Sequence, residues 1–165
     1  MARVGVTAAT LSEALAGVPP RATLALPEGS WGEGGDHRVW LNRDTEWTWD
    51  RIYGAEAEWA ALLAAARGPK GDLARALTQA TRELLLLQAS DWPFLITTGT
   101  ARDYAERRVA EHYAEFKRLF EMARGLASGE PLSPDDAHSL RRLEREDFCF
   151  PDLDPAWGMG PPGRG

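Results

Sequence analysis

The residues whose types and spacing could do chemistry lie in one stretch, residues 28–49, with the sequence EGSWGEGGDHRVWLNRDTEWTW. It holds four of the seven tryptophans, and its first half combines four glycines with Glu33, Asp36, His37 and Arg38. Closely spaced glycines exclude a regular helix or a central strand, because each glycine loses much backbone entropy on folding. A polar loop flanked by indoles is typical of sugar binding, in which the apolar face of a pyranose packs on an aromatic ring.

Each tryptophan of this stretch is interpreted either as a ligand platform or as a core anchor. Trp47 and Trp49 fall inside a helical pattern, which favours the core. Trp31 and Trp40 are flanked by glycine and charged residues, which favours a position facing a ligand. The predicted substrate-binding residues of the chain are Trp31, Asp36, His37 and Trp40.

Glycoside chemistry is the reaction most natural beside stacked tryptophans, and it needs two carboxylates on opposite sides of the scissile bond. The acids of the loop are Glu28, Glu33 and Asp36. A glycine-rich segment has no scaffold that holds two of them about 5 Å apart, as a retaining mechanism requires. We therefore predict hydrogen bonds from these acids to sugar or backbone, and no catalytic residue in this chain. Their spacing with His37 matches no standard ligand set, so we predict neither a metal nor a cofactor.

Outside the loop, few residue types point to chemistry. His112 and His138 lie on predicted helices without a nucleophile nearby, and we interpret them as surface or packing residues. Cys149 lies between Phe148 and Phe150, which favours packing over nucleophilic catalysis. Nucleophile-elbow, P-loop and dinucleotide fingerprints do not occur in the sequence.

Length and composition predict one ordinary domain. The chain has 165 residues, of which 44% are hydrophobic and 27% charged, as in soluble globular proteins. A net charge of −6 without a basic cluster argues against nucleic-acid binding. No apolar run reaches membrane-spanning length and the N-terminus lacks the apolar core of a signal peptide, so we predict a cytoplasmic protein without a membrane partner.

Periodicity predicts a mainly α fold, a helical bundle of three long helices and one shorter helix with the Gly/Trp-rich loop before the first long one. A short helix opened by a capping box of Thr10 and Glu13 precedes the loop. The bundle helices are predicted over residues 45–66, 72–89, 100–127 and 133–147.

Local signals predict how these helices begin and end. Asn42 or Asp44 is the predicted N-cap of the first long helix, Thr100 with Asp103 a second capping box, and Ser133 the N-cap of the last helix. The segment 90–94 is predicted to be a turn, because Pro93 disfavours helical geometry in the residue before it. Residues 148–165, rich in proline and glycine, are predicted to be irregular.

Three strings of the sequence together resemble one family. They are LPEGSWGEGGDHRVWLNRDTEWTWDRIYGAE (residues 26–56), RELLLLQASDWPFLITTGTARDYAERR (82–108) and DFCFPDLDP (147–155). They resemble the C-terminal helical domain of glycoside hydrolase family 57 enzymes of the 1,4-α-glucan branching type. The resemblance extends from about residue 4 to residue 155. We therefore expect residues 1–155 to form such a domain and residues 156–165 an irregular tail.

In that family a distorted (β/α)₇ barrel, carrying a glutamate nucleophile and an aspartate acid/base, precedes the helical domain. The resemblance implies that the barrel is a partner of this domain, and no counterpart of it occurs in this sequence. We therefore expect the chain alone to be inactive. The tryptophans nine residues apart in the family pattern match Trp31 and Trp40, which implies that these two line the active-site cleft.

The leading hypothesis is the substrate-groove domain of a branching enzyme of glycogen biosynthesis. The resemblance implies cleavage of an α-1,4 bond of amylose or glycogen and transfer of the glucan to a 6-hydroxyl. The chain would hold donor glucan and shield the intermediate from water. The alternatives are a free-standing α-glucan-binding or regulatory module without catalysis, and a purely structural bundle.

Overall fold

The computed structural model describes residues 5, 7–66 and 68–155, and within them every regular element is a helix. Helix α1 spans Leu11–Gly17, and a 3-10 turn spans Glu33–Gly35. The bundle helices are α2 (Glu46–Ala65), α3 (Gly71–Leu87), α4 (Asp91–Thr98), α5 (Arg102–Ala127) and α6 (Pro134–Glu146). The three predicted long helices are α2, α3 and α5, and the shorter one is α6. The predicted helical bundle is confirmed.

Helix α5 is the longest element and lies at the centre of the fold. It packs against α2, α3 and α4, while α6 packs on α3. Phe116 and Leu119 of α5 are fully buried, and they belong to one hydrophobic core with Leu77 and Leu87 of α3 and Leu140 of α6. The run of leucines at the end of α3 is therefore contacted from several sides, as its all-round apolar character predicts. Trp59 of α2 packs in the same core and is 7% exposed.

Two predicted helix starts are confirmed by their cap geometry. The Thr10 hydroxyl accepts a hydrogen bond from the Glu13 backbone N–H, and the Glu13 carboxylate accepts one from the Thr10 N–H. At α6 the Ser133 side chain accepts from the Asp136 backbone N–H, with Pro134 in the first helical position. In both places a side-chain oxygen satisfies a backbone donor that the helix itself leaves free.

Two other predicted helix starts are wrong. The N-cap of α2 is Thr45 and not Asn42 or Asp44, because the helix begins at Glu46 and the Asn42 side chain accepts from the Asp44 N–H before it. The Thr45 hydroxyl accepts from the Asn42 N–H and donates to the Trp40 carbonyl. These bonds tie the start of α2 to the loop. The capping box of Thr100 with Asp103 does not form. Helix α5 begins at Arg102 with Ala101 as N-cap and no capping side chain.

The segment predicted as a turn at residues 90–94 is the start of α4. Pro93 is the third residue of this helix, where a backbone N–H has no partner within the helix, so the missing donor costs no hydrogen bond. The helix ends at Thr98, and its C-cap Gly99 has a left-handed φ of 69°, which suits glycine. Helix α4 matters for the site because it carries Phe94, which lies beside the predicted tryptophans.

A buried polar relay crosses the bundle from α5 to α3 and includes His112. Of the two alternatives predicted for this residue, burial excludes the surface and confirms packing, to which two side-chain hydrogen bonds are added. His112 is 2% exposed and Glu83 fully buried, and His112 Nδ1 lies 2.8 Å from Glu83 Oε2. Arg108 Nη2 lies 2.7 Å from His112 Nε2. Because a guanidinium only donates, the hydrogen bond from Arg108 assigns Nε2 of His112 as the acceptor and leaves Nδ1 to donate to Glu83.

From α3 the relay reaches the chain that follows α6. Gln79 donates to Glu83 at 3.0 Å and accepts from Arg82 at 3.1 Å, and Arg82 Nε donates to the Cys149 carbonyl at 2.7 Å. Arg108 Nη2 also lies 3.9 Å from the Asp147 carboxylate. The relay therefore fixes the start of the predicted irregular tail against α3.

The same relay contains the one group of potential metal ligands in the part of the chain that the structure describes. Ligand atoms of Glu83, His112 and Asp147 lie within 4.8 Å of one another. Both ring nitrogens of His112 already have partners, and Arg108 lies between His112 and Asp147. Hydrogen bonds and opposite charges inside the chain account for this group without an ion.

The remaining predictions concern the C-terminal segment, Cys149 and membrane-spanning helices. Residues 147–154 contain no helix, which agrees with the prediction, while the predicted tail at 156–165 lies outside the described residues. Cys149 is partly buried, and this burial raises the pKa of its thiol, in keeping with packing. No helix of the described residues is both long enough and apolar enough to cross a membrane.

Candidate functional site

The glycine-rich loop folds into a compact turn with a conformation that needs its glycines. Gly34 and Gly35 have φ angles of 75° and 73°, in the left-handed region. Gly32 has ordinary φ, but a Cβ there would lie 2.8 Å from the Trp40 ring and 3.0 Å from Val39. Gly32 therefore allows the backbone to pass directly against the Trp40 indole, and a larger residue would displace the ring.

Hydrogen bonds from Ser30 close the loop. The Ser30 backbone N–H donates to the Gly35 carbonyl at 2.9 Å, and its hydroxyl donates to the Asp36 carbonyl. The same hydroxyl accepts from the Gly32 N–H at 3.0 Å. A segment that its composition alone would leave mobile is thus cross-linked on both sides of Trp31.

Trp31 and Trp40, the predicted sugar platforms, are brought together by this loop. Their ring centroids lie 5.0 Å apart with the planes at 75°. Phe94 of α4 completes the cluster, at 5.5 Å from Trp31 and 6.3 Å from Trp40. Trp31 is 78% exposed although Trp40 is partly buried. Core packing does not explain a tryptophan held at the surface with this exposure.

An open groove of about 470 Å³ lies beside the aromatic cluster. This volume is within the roughly 300–1,000 Å³ of ordinary ligand pockets. Its surface is mostly apolar, with a few hydroxyl and imidazole groups. Its lining residues are Ser30, Trp31, His37, Trp40, Leu41, Trp49, Tyr53 and Ser90.

Trp49 has a double position, on the core side of α2 and in the wall of the groove. It packs against the hydrophobic core, as predicted. Its Nε1 donates a 2.8 Å hydrogen bond to the Trp40 carbonyl, which links the wall of the groove to the loop. Trp47 also packs against the core, and its Nε1 donates to the Asp44 carbonyl at 2.9 Å. The core interpretation is confirmed for both, and for Trp49 it is incomplete.

Asp36 and His37 occupy different places at the loop. The Asp36 carboxylate accepts from the Arg38 guanidinium and backbone, and these hydrogen bonds lower its pKa from 3.8 to about 2. Asp36 does not line the groove, and its carboxylate is engaged within the loop. His37 does line it, and its Nε2 lies 3.3 Å from an exposed Glu28 carboxylate. That either residue contacts sugar stays a prediction.

Comparison with known families decides what kind of domain holds this groove. The profile of the family described as "1,4-alpha-glucan branching enzyme, C-terminal" matches residues 51–157, more than half of the chain. The chain belongs to this family. The matched range includes Tyr53 and Phe94, whereas Trp31 and Trp40 precede it.

Individual relatives agree with this assignment. The 1,4-alpha-glucan branching enzyme of Thermococcus kodakarensis is 47% identical over 128 residues, which are 77% of this chain and 18% of that enzyme. The crystal structure of the GH57-type branching enzyme from Pyrococcus horikoshii matches 93% of this chain and 28% of its own, with 38% identity and a TM-score of 0.79.

The crystal structure of a GH57 branching enzyme from Thermococcus kodakaraensis, in complex with glucose and additives, is also similar to this chain. It has a TM-score of 0.79 and 42% identity over 92% of this chain and 27% of that one. The chain therefore spans less than a third of the length of these relatives. The resemblance to the C-terminal helical domain of family 57 branching enzymes is confirmed.

The sequence does not single out Leu41, Tyr53 or Ser90, which line the groove, or Phe94, which packs against Trp31 and Trp40. Ser90 and Phe94 both lie in the segment predicted to be a turn. An apolar residue directly after Trp-Pro was the available signal for Phe94, since such a residue in a true surface turn would be unusual. Tyr53 stands one helical turn after Trp49, a spacing that places both on one side of α2.

Proposed function

We propose that this chain is the part of a 1,4-α-glucan branching enzyme that binds donor glucan through its aromatic groove. The observation that carries the proposal is the exposed Trp31, held 5.0 Å from Trp40 at the edge of an open groove. Indole rings present a flat apolar surface, and the apolar face of a glucosyl unit packs on such a surface. Family membership makes α-1,4-linked glucan the substrate class that fits this chemistry.

In this proposal the chain supplies binding and not bond cleavage. Glu28, beside the groove residue His37, is exposed, and the Asp36 carboxylate is held by Arg38. Among the described residues that line the groove there is no carboxylate, so the lining lacks the paired arrangement of a glycosidase. The cleavage of an α-1,4 bond and the transfer to a 6-hydroxyl are assigned to a catalytic barrel of the same enzyme, with the groove holding the glucan and limiting access of water.

The proposal is tested by joining this chain to the catalytic part of the Thermococcus kodakarensis enzyme in place of that enzyme's own C-terminal domain. We expect the chimera to branch amylose and Trp31→Ala to lower the transfer rate roughly tenfold, since a lost stacking platform weakens binding by about 1–2 kcal/mol. Tyr104→Ala is the matched control, because Tyr104 is an exposed aromatic that does not line the groove. Equal branching rates in the Trp31→Ala and Tyr104→Ala chimeras would contradict a glucan contact at Trp31.

A further inference from the structure

Tyr53 is an aromatic side chain in the groove that the bundle itself does not use. It is 60% exposed, although its neighbours Ile52 and Ala55 on α2 are buried in the core. Within the part of the chain that the structure describes, its one aromatic partner is Trp49, at a centroid distance of 5.7 Å and an angle of 36°. The ring therefore adds little to the core, and it faces the same open groove as Trp31 and Trp40.

The Tyr53 ring is held in place by its contact with Trp49. Trp49 packs against the core and is bonded through Nε1 to the Trp40 carbonyl at 2.8 Å. The Tyr53 ring packs against this fixed indole at a tilt. A platform that is already ordered loses little conformational entropy when a ligand stacks on it, and pre-organisation of this kind favours binding.

We propose that Tyr53 is a second stacking platform for linear α-glucan, so that the groove binds successive glucosyl units on Trp31 with Trp40 and on Tyr53 with Trp49. This inference rests on the proposed function. It adds that the affinity of the groove depends on the length of the donor chain, because only a glucan that extends past the first platform reaches the second.

The polar groups that line the groove fit such a ligand. Ser30, His37 and Ser90 line the groove together with the aromatics and offer hydrogen-bonding groups for sugar hydroxyls. Among the described residues, no guanidinium or ammonium group lines the groove and His37 is the one side chain there that could carry positive charge, so a phosphorylated or acidic ligand has few partners. An uncharged chain of sugars with alternating apolar faces and hydroxyl edges matches both features.

The experiment is titration calorimetry of the full chain with maltotriose and with maltoheptaose. The unaltered chain is compared with Tyr53→Ala, Tyr53→Phe, Tyr53→Leu, Trp31→Ala and the control Tyr104→Ala. We expect Tyr53→Ala to weaken maltoheptaose binding roughly three- to tenfold and maltotriose binding less than twofold. Tyr53→Phe should keep the affinity because it keeps the flat ring. Tyr53→Leu, which keeps apolar bulk without a ring, should behave like Tyr53→Ala.

The outcomes separate this inference from the proposed function. If Trp31→Ala weakens binding while Tyr53→Ala and Tyr53→Leu bind maltoheptaose like the unaltered chain, Tyr53 is not a second platform, but glucan binding at Trp31 still holds. If the unaltered chain binds neither oligosaccharide, both the proposed function and the role of Tyr53 are wrong. Equal losses for maltotriose and maltoheptaose in Tyr53→Ala would overturn the length dependence. Tyr104→Ala, altered at a similarly exposed tyrosine, reports any general effect of losing a surface ring.

Discussion

The buried relay between α3 and α5 leads to a sharp prediction about stability. Glu83 is fully buried, and its two carboxylate oxygens accept from His112 Nδ1 at 2.8 Å and from Gln79 Nε2 at 3.0 Å. Glu83→Ala leaves both donors buried without an acceptor, and each such donor costs about 1–3 kcal/mol. It also removes the buried carboxylate to which Arg82 is linked through Gln79 and Arg108 through His112. Breaking a buried charged network in this way costs about 3–5 kcal/mol of folding free energy in total.

Thermal unfolding followed by circular dichroism measures this cost. For a domain of this size about 1 kcal/mol shifts the melting temperature by roughly 2–4 °C, so Glu83→Ala should melt roughly 6–20 °C below the unaltered chain. Glu121→Ala is the control. Glu121 forms an ion pair with Arg124 at the surface, and loss of such a pair costs about 0–1 kcal/mol. A Glu83→Ala variant that melts within a degree or two of Glu121→Ala would refute the relay as a stabilising network.

Three further predictions follow from the loop and from the composition of the chain. Gly32→Ala should weaken maltoheptaose binding in calorimetry by displacing the Trp40 ring, whereas Gly54→Ala, with open space around it, should bind normally; equal binding by the two variants would contradict the close approach. Because the folded pKa of Asp36 is depressed to about 2, its bond to Arg38 should stabilise the loop fully above pH 3.8 and be lost as the pH falls towards 2. Tryptophan fluorescence should show that transition, and an Asp36→Asn variant with the same acid profile would refute it. The chain alone should show no branching or hydrolysis of amylose; activity above a mock purification, abolished by changing a carboxylate of this chain, would overturn the assignment of catalysis to another domain.

The sequence predicts the bundle well because its long helices carry strong periodic patterns. Trp59, Leu77 and Phe116 fall on apolar faces, and burial of those faces decides the packing. Helix starts were harder, because a cap depends on which local hydrogen bond is satisfied. At α2 the Thr45 hydroxyl bonds to Asn42 and to the Trp40 carbonyl, and no local pattern ranks these bonds above a cap at Asp44.

The groove was predictable only in part. Trp31 and Trp40 were identified because glycine and charge surround them, and that signal is local. Phe94 contacts them from more than fifty residues away in the sequence. It lies on α4, whose start is predicted as a turn because of Pro93. The relay of Glu83 and His112 was hidden for a similar reason. Each residue alone suits a helix surface, and only the packing of α3 on α5 brings them together.

The most direct test of the central claim compares Trp31→Ala with Trp59→Ala in the isolated chain, by melting and by titration with maltoheptaose. Trp31 is 78% exposed beside the groove and Trp59 is 7% exposed in the core. We expect Trp31→Ala to lose roughly tenfold in glucan affinity while its melting temperature stays within a few degrees of the unaltered chain. Trp59→Ala should lose about 3–5 kcal/mol of folding free energy. If Trp31→Ala instead destabilises the chain as Trp59→Ala does, or binds maltoheptaose with unchanged affinity, Trp31 is not a glucan platform and the proposed function is wrong.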